Sequence, residues 1–70
     1  MNGITKREWQ FLWMVAMETV GVVTRDGEWE TWTSDGLNVT KLANHCRGKM
    51  LVTLWGDVTW RLTPKGKNYL

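Results

Sequence analysis

The 70-residue sequence predicts one small α+β domain, covering residues 1–70, with the element order α-β-β-α-β-β-α. Three observations predict this fold class. Two segments place apolar residues at helical spacing, and two others read as strand pairs joined by a glycine-containing turn. A Thr-Pro pair near the carboxyl terminus then begins a last short helix. A chain of this length buries only about 60% of its unfolded surface, so its six tryptophans must supply much of the core.

Helix one is predicted to begin after Thr5, because Thr5 and Glu8 can form a capping box and Ile4 and Trp9 occupy the positions of a hydrophobic staple. One apolar stripe is expected to face the core: Trp9, Leu12, Trp13, Ala16, Met17 and Val20. Gly21 is expected to end the helix. Three further apolar residues lie off the stripe, where they either form a partner surface or pack beneath the first hairpin: Phe11, Met14 and Val15.

The next segment predicts a β-hairpin, with strands at residues 22–25 and 28–33. They are joined by Asp26-Gly27, a pair typical of a type I′ turn. Glu28 and Glu30 share one face of the second strand, so we expect that face to be solvated and turned away from any nucleic acid. The hairpin is therefore interpreted as structural.

Helix two is predicted to start at Asn38, a favourable N-cap residue, with Leu37 and Leu42 as a second staple. Gly48 is expected to end it. Its buried stripe is predicted to be Val39, Leu42, Ala43 and Cys46. Its outward side chains are polar or basic and include no carboxylate: Thr40, Lys41, Asn44, His45, Arg47 and, just beyond the helix, Lys49.

Residues 50–62 predict a second hairpin, for which two registers are open. The preferred one has a three-residue loop at 55–57 and pairs Leu54 with Val58. It stacks the apolar side chains on one face: Met50, Val52, Leu54, Val58, Trp60 and Leu62. The opposite face then carries Leu51, Thr53, Thr59 and Arg61. A two-residue Gly56-Asp57 turn would instead bring Trp55 and Trp60 to the same side.

The last helix is predicted to be capped by Thr63, with Pro64 at its first position and Gly66 keeping it short. Charge is divided between the two halves of the chain. Residues 36–70 hold six of the nine Lys and Arg and one acid, a net charge of +5, whereas residues 1–35 carry −3. Such a one-sided basic field is typical of a protein that binds a polyanion.

The carboxyl-terminal half resembles winged-helix DNA-binding domains in two motifs. Residues 39–43, Val-Thr-Lys-Leu-Ala, resemble part of the helix-turn-helix, and residues 62–67, Leu-Thr-Pro-Lys-Gly-Lys, resemble the segment that follows the wing. The resemblance implies a helix in the major groove and a hairpin wing beside the backbone or the minor groove. Only residues 46–49 separate the first motif from the hairpin, and Asp57 lies at the wing tip. An atypical, truncated winged helix, of the kind found in small phage or mobile-element proteins, accommodates both departures, and so does a different α+β fold.

The predicted partner is double-stranded DNA, bound by a transcriptional regulator or accessory factor. The phosphate contacts are predicted to be Lys41, Arg47, Lys49, Arg61, Lys65 and Lys67. The candidate base contacts are Thr40, Asn44 and His45. Because winged helices often dimerise through their first helix, the resemblance also implies a homodimer.

A second interpretation is a small tryptophan-rich inhibitor or adaptor of the phage type, which binds another protein and has no role with nucleic acid. Its candidate interface residues are Phe11, Met14, Trp29, Trp32 and Trp55. For each of these residues, ordinary core packing is the competing interpretation.

The sequence does not predict an enzyme, a metal site or a cofactor site. His45 is the single histidine and has no carboxylate near it in sequence, while Cys46 lies on the opposite face of the same helix. One Cys and one His without further ligands do not make a zinc site. A lone cysteine is typical of a reducing compartment, and no secretory signal or membrane-spanning run is present, so a cytoplasmic protein without membrane binding is expected.

Overall fold

The computed structural model describes residues 3–56 and 59–70 and contains, within them, three helices and four strands. In chain order these elements are α1 (Lys6–Ala16), β1 (Val20–Arg25), β2 (Glu28–Thr33), α2 (Thr40–Gly48), β3 (Val52–Trp55), β4 (Thr59–Leu62) and α3 (Pro64–Lys67). The strands form two separate antiparallel hairpins, β1–β2 and β3–β4. The predicted α+β class and element order are confirmed. Among the described residues, no helix is long and apolar enough to cross a lipid bilayer.

Helix α1 begins with the predicted capping box. The backbone N–H of Glu8 donates to the Thr5 hydroxyl at 3.1 Å, and the backbone N–H of Thr5 donates to Glu8 Oε1 at 2.7 Å. Two of the four N–H groups that a helix start leaves without an intrahelical partner are thereby satisfied.

The buried face of α1 differs from the predicted stripe. Its core-facing residues are Glu8, Phe11, Leu12 and Val15. Trp13 and Met17, predicted to be buried, are 39% and 68% exposed. The buried face is rotated by about 100° from the predicted one, which is roughly one residue. The cause is Glu8, which lies inside the protein because Lys49, the residue after α2, is paired with it. A prediction from apolar spacing leaves out a buried carboxylate.

Helix α2 ends at Gly48 as predicted, but α1 ends before Gly21, and in neither case is the glycine the left-handed residue that follows the helix. The left-handed residue after α1 is Glu18, with φ +58°, and the one after α2 is Met50, with φ +61°. In each case two backbone hydrogen bonds complete a Schellman motif, such as Thr19 N–H to Met14 C=O at 2.9 Å and Leu51 N–H to Cys46 C=O at 2.9 Å. Gly21 lies within β1, and Gly48 is the last residue of α2.

The first hairpin has the predicted turn, since Arg25 pairs with Glu28 and both Asp26 and Gly27 have positive φ. On its outer face Arg25 Nε lies 3.6 Å from Glu30 Oε1, and the Trp32 indole N–H donates to the same oxygen at 3.3 Å. Helix α2 is hydrogen-bonded to the edge of β2, because the backbone N–H of Thr31 donates to the Thr40 hydroxyl at 3.0 Å.

The buried stripe of α2 agrees largely with expectation, but its start does not. The N-cap is Val39 and not Asn38, and Val39 makes no side-chain capping bond, whereas Asn38 Oδ1 accepts the Thr40 N–H at 3.0 Å from one position further back. Ala43 and Cys46 are fully buried. The predicted staple is wrong, because Leu37 is 60% exposed and cannot pack on Leu42.

The second hairpin has neither predicted register. Leu54 pairs with Trp60, and Trp55 pairs with Thr59. Val58, the predicted partner of Leu54, lies outside the described residues. Because this register differs from the preferred one by two residues, the inner face is unchanged and still carries Val52, Leu54, Trp60 and Leu62.

At the start of this hairpin, Leu51 is fully buried and Met50 is 71% exposed, the reverse of the prediction. Both residues precede β3, where strand alternation does not apply. Met50 is instead placed by the left-handed turn that ends α2, and this turn directs the next residue, Leu51, into the core.

The core lies between α1, α2 and the inner face of the second hairpin. Phe11 and Trp60 pack edge to face, with ring centroids 6.2 Å apart and planes at 79°. The Trp60 indole N–H donates to the buried Thr31 hydroxyl at 2.9 Å, which joins the two hairpins. The chain end is fastened to α1, since the Trp9 indole N–H donates to the Tyr69 carbonyl at 3.1 Å.

Candidate nucleic-acid interface

The solvent side of α2 presents four of the predicted DNA-binding residues. Burial of Ala43 and Cys46 turns the opposite side of the helix outward, and Lys41, Asn44 and Gly48 follow one another there at helical spacing. Lys41, Asn44, His45 and Arg47 are all exposed. Within the described residues, none of these four side chains makes a hydrogen bond or ion pair to another residue. Their donors and charges are therefore directed to solvent.

Thr40 is a structural residue and not a base contact. Its hydroxyl donates to Asn38 Oδ1 at 2.6 Å and accepts the Thr31 N–H at 3.0 Å. Both bonds hold the start of α2 against β2. The prediction that Thr40 reads bases is wrong, because its hydroxyl proton is already donated to Asn38 and no donor is left for a base edge.

Lys49 is also structural, which corrects its assignment as a phosphate contact. Its ammonium donates to Glu8 Oε1 at 2.8 Å and to the Gly3 carbonyl at 3.4 Å. The Glu8 side chain is only 3% exposed, so this pair fastens the start of α1 to the end of α2. The hydrogen bond from Lys49 lowers the pKa of the Glu8 carboxyl, while burial acts in the opposite direction and the hydrogen bonds from Thr5 add to the lowering.

The other predicted phosphate contacts lie on the second hairpin and α3. The Arg61 guanidinium lies over the Trp55 ring, 4.9 Å from its centroid. Lys65 is exposed and donates to the Lys49 carbonyl at 3.1 Å, where its charge complements the carboxyl end of α2. Lys67 is exposed. These contacts bring Lys65 to the end of α2.

An acidic strand borders the basic side of α2. A surface groove of about 770 Å³ lies between β2, the start of α1 and the first turns of α2. Lys41 and His45 line it together with Trp29, Glu28 and Glu30. The expectation that the two glutamates would be turned away from the nucleic-acid site is therefore wrong. β2 is an edge strand beside α2, so carboxylates on its outer face still reach the shared groove.

Only part of the predicted protein interface is accessible. Phe11 is fully buried in the core, so its assignment to an interface is wrong. Met14 is half-buried and packs against the core, and Trp32 is half-buried with its N–H bound to Glu30. Trp29 and Trp55 are exposed at 42% and 62%.

Sequence reasoning missed two exposed side chains on α1, Trp13 and Met17, because it assigned them to the core. A signal was present in the sequence. Lys6, Gln10, Trp13 and Met17 follow at helical spacing, and the two polar members of this row mark the side of α1 that faces solvent.

Two features of the metal-ligating and nucleophilic residue types can be described for residues 3–56 and 59–70. No group of three or more His, Cys, Asp and Glu in these ranges is arranged to hold a metal ion. Cys46 is fully buried, and burial raises the pKa of its thiol to about 11, so the thiol is protonated at neutral pH.

Comparison with known proteins gives no match: no protein-family model, no curated protein and no solved structure is similar to this chain.

Proposed function

We propose that this protein binds duplex DNA as a transcriptional regulator or accessory factor, with α2 in the major groove and the β3–β4 hairpin beside it as a wing. The observation that carries the proposal is the exposed side of α2, which holds two cations, an amide and an imidazole and no carboxylate. A cytoplasmic location is part of the proposal, because the single cysteine suits a reducing compartment.

Each side chain of this surface has a chemical role in the proposal. Lys41 and Arg47 neutralise phosphates at the two ends of the helix, whose nine residues span about 13 Å. Asn44 and His45 lie between them and supply donors and acceptors for base edges. Arg61 and Lys67 add phosphate contacts from the wing and the last helix.

The acidic strand weakens binding at one end of α2. Glu30 is paired with Arg25, whereas Glu28 makes no ion pair within the described residues. Glu28 lines the same groove as Lys41, so it repels the phosphate that Lys41 would neutralise. The Glu28→Gln substitution should therefore strengthen binding.

The test is binding to a labelled duplex of random sequence, followed by fluorescence anisotropy between about 50 and 200 mM salt. Wild-type affinity should fall steeply over this range. The double variant Lys41→Ala, Arg47→Ala should bind about tenfold more weakly at low salt, and its logarithmic salt slope should be smaller by about 2. Lys6→Ala, which removes a cation outside α2, is the control for loss of charge alone; measured at concentrations at which it sediments like the wild type, it should bind nearly as tightly. Wild-type protein that does not bind the duplex at low salt would refute the proposal.

A second candidate function, protein contact through α1, is favoured by the exposed Trp13 and Met17. We propose that two copies pair through this side of α1 in antiparallel orientation. Lys6 lies at one end of the row and Glu18 just beyond the other, so antiparallel pairing sets each lysine beside the partner's glutamate. Trp13, which packs edge to face on Trp9 with centroids 6.3 Å apart, would then lie near the middle of the interface.

Sedimentation analysis of a Trp13→Glu variant tests this pairing. The wild type should sediment as a dimer, and the variant should be a folded monomer, because the substitution buries a charge at the centre of the interface. Leu37→Glu is the matched control, since Leu37 is an exposed apolar residue in the β2–α2 loop, and this variant should remain dimeric. A monomeric wild type at high concentration would contradict the dimer, and capture of this face by another protein would favour the adaptor interpretation.

A further inference from the structure

The outer face of the second hairpin carries a side-chain pair that the core does not use. Thr53, Trp55, Thr59 and Arg61 all point to this face and are all exposed, while the other apolar residues of both strands point inward. Trp55 is paired with Thr59, so Arg61 is its diagonal neighbour on the opposite strand. This spacing suits a long side chain that crosses to an aromatic ring.

Trp55 is the most exposed of the six tryptophans, with 62% of its surface accessible to solvent. Because most of this indole is exposed to solvent, it contributes little to the stability of the fold. The Arg61 guanidinium covers one part of its ring at 4.9 Å from the centroid. A stacked guanidinium keeps the N–H groups at its edges available for hydrogen bonds.

We infer that Trp55 and Arg61 form a binding site for one unstacked nucleobase and its adjoining phosphate. The base stacks on the accessible part of the indole, and the Arg61 N–H groups donate to the phosphate. This inference rests on the proposed DNA-binding function and narrows its substrate. Bases in an intact duplex are already stacked on both sides, so the site is filled only where a base is unpaired. The protein therefore prefers a duplex that contains a gap or an unpaired base.

Two labelled duplexes of equal length and sequence test the inference, one continuous and one with a single unpaired thymine. We expect wild-type protein to bind the second about tenfold more tightly, the factor that corresponds to the stacking of one base. Trp55→Ala should reduce this ratio to about 1 without loss of helical content, and Trp55→Phe should retain part of it. Arg61→Lys, which keeps the charge and loses the planar group, should also lower the ratio.

Val23→Ala is the control, because it removes an exposed apolar side chain from β1, outside both proposed interfaces. Its ratio should equal that of the wild type. Equal wild-type binding to the two duplexes would overturn the inference and leave the proposed function standing. A preference that persists in Trp55→Ala would also overturn it. Failure to bind either duplex would instead refute the proposed function.

Discussion

Replacing Gly66 by alanine is expected to lower the free energy of unfolding by about 3 kcal/mol or to prevent α3 from docking. An added Cβ at this position would lie 2.1 Å from the Leu51 carbonyl oxygen and 3.0 Å from its carbon. The neighbour is backbone and cannot rotate away. The same oxygen accepts the Thr63 N–H at 3.1 Å, so movement of Leu51 would also break the bond that positions the helix cap.

Gly48 provides the matched control for this substitution. It also lies in a helix, but nothing lies within 4 Å of an added Cβ. Gly48→Ala should therefore raise the free energy of unfolding by about 0.7 kcal/mol, because alanine loses less backbone entropy on folding. Urea denaturation followed by tryptophan fluorescence measures both values. A Gly66→Ala variant that is as stable as Gly48→Ala would contradict the close contact between α3 and Leu51.

Local signals in the sequence predicted most of the fold correctly. The Thr5 capping box, the Asp26-Gly27 turn and the Thr63 cap with Pro64 each depend on residues within three positions of one another. Such interactions involve only residues that are close in sequence, so the residue pattern suffices to predict them. The order of elements follows from these boundaries.

Features that depend on tertiary contacts were not predictable in this way. Sequence reasoning assigned Gly66 the local role of shortening α3, whereas its buried position against Leu51 is the reason that alanine cannot replace it. The left-handed conformations of Glu18 and Met50 are held by the surrounding fold, since residues with side chains rarely adopt them. Neither residue type signals a helix end.

The same distinction applies to the candidate site. Once the buried stripe of α2 is known, helical spacing predicts which of its side chains are exposed. This exposure was predicted correctly for four residues: Lys41, Asn44, His45 and Arg47. The role of Lys49 was not, because its partner Glu8 lies 41 positions away in sequence. A charged residue is identified as structural only when its partner is known, and a sequence gives no distance between them.

The Glu8–Lys49 pair is expected to make stability depend on acid pH. The pKa of Glu8 is lowered in the folded protein, so the pair stabilises the fold above the pKa of the unfolded chain. This contribution is lost as the pH falls through the lowered folded-state pKa. Glu8→Ala should cost about 3 kcal/mol at neutral pH, of which about 1 comes from the capping box and the rest from the partly exposed Lys49 left without its buried partner.

Glu8→Gln separates the two contributions, because its amide oxygen can still accept the Thr5 N–H but carries no charge. This variant should lose less stability than Glu8→Ala, and its free energy of unfolding should change less than that of the wild type as the pH is lowered. Glu28→Gln, a substitution of the same chemistry at an exposed site, should retain the wild-type acid dependence. Urea denaturation at neutral and acid pH measures all three variants. An unaltered acid dependence in Glu8→Gln would mean that Lys49 does not hold the ionised form of Glu8, and the attachment of α1 to the end of α2 would then depend on apolar packing alone.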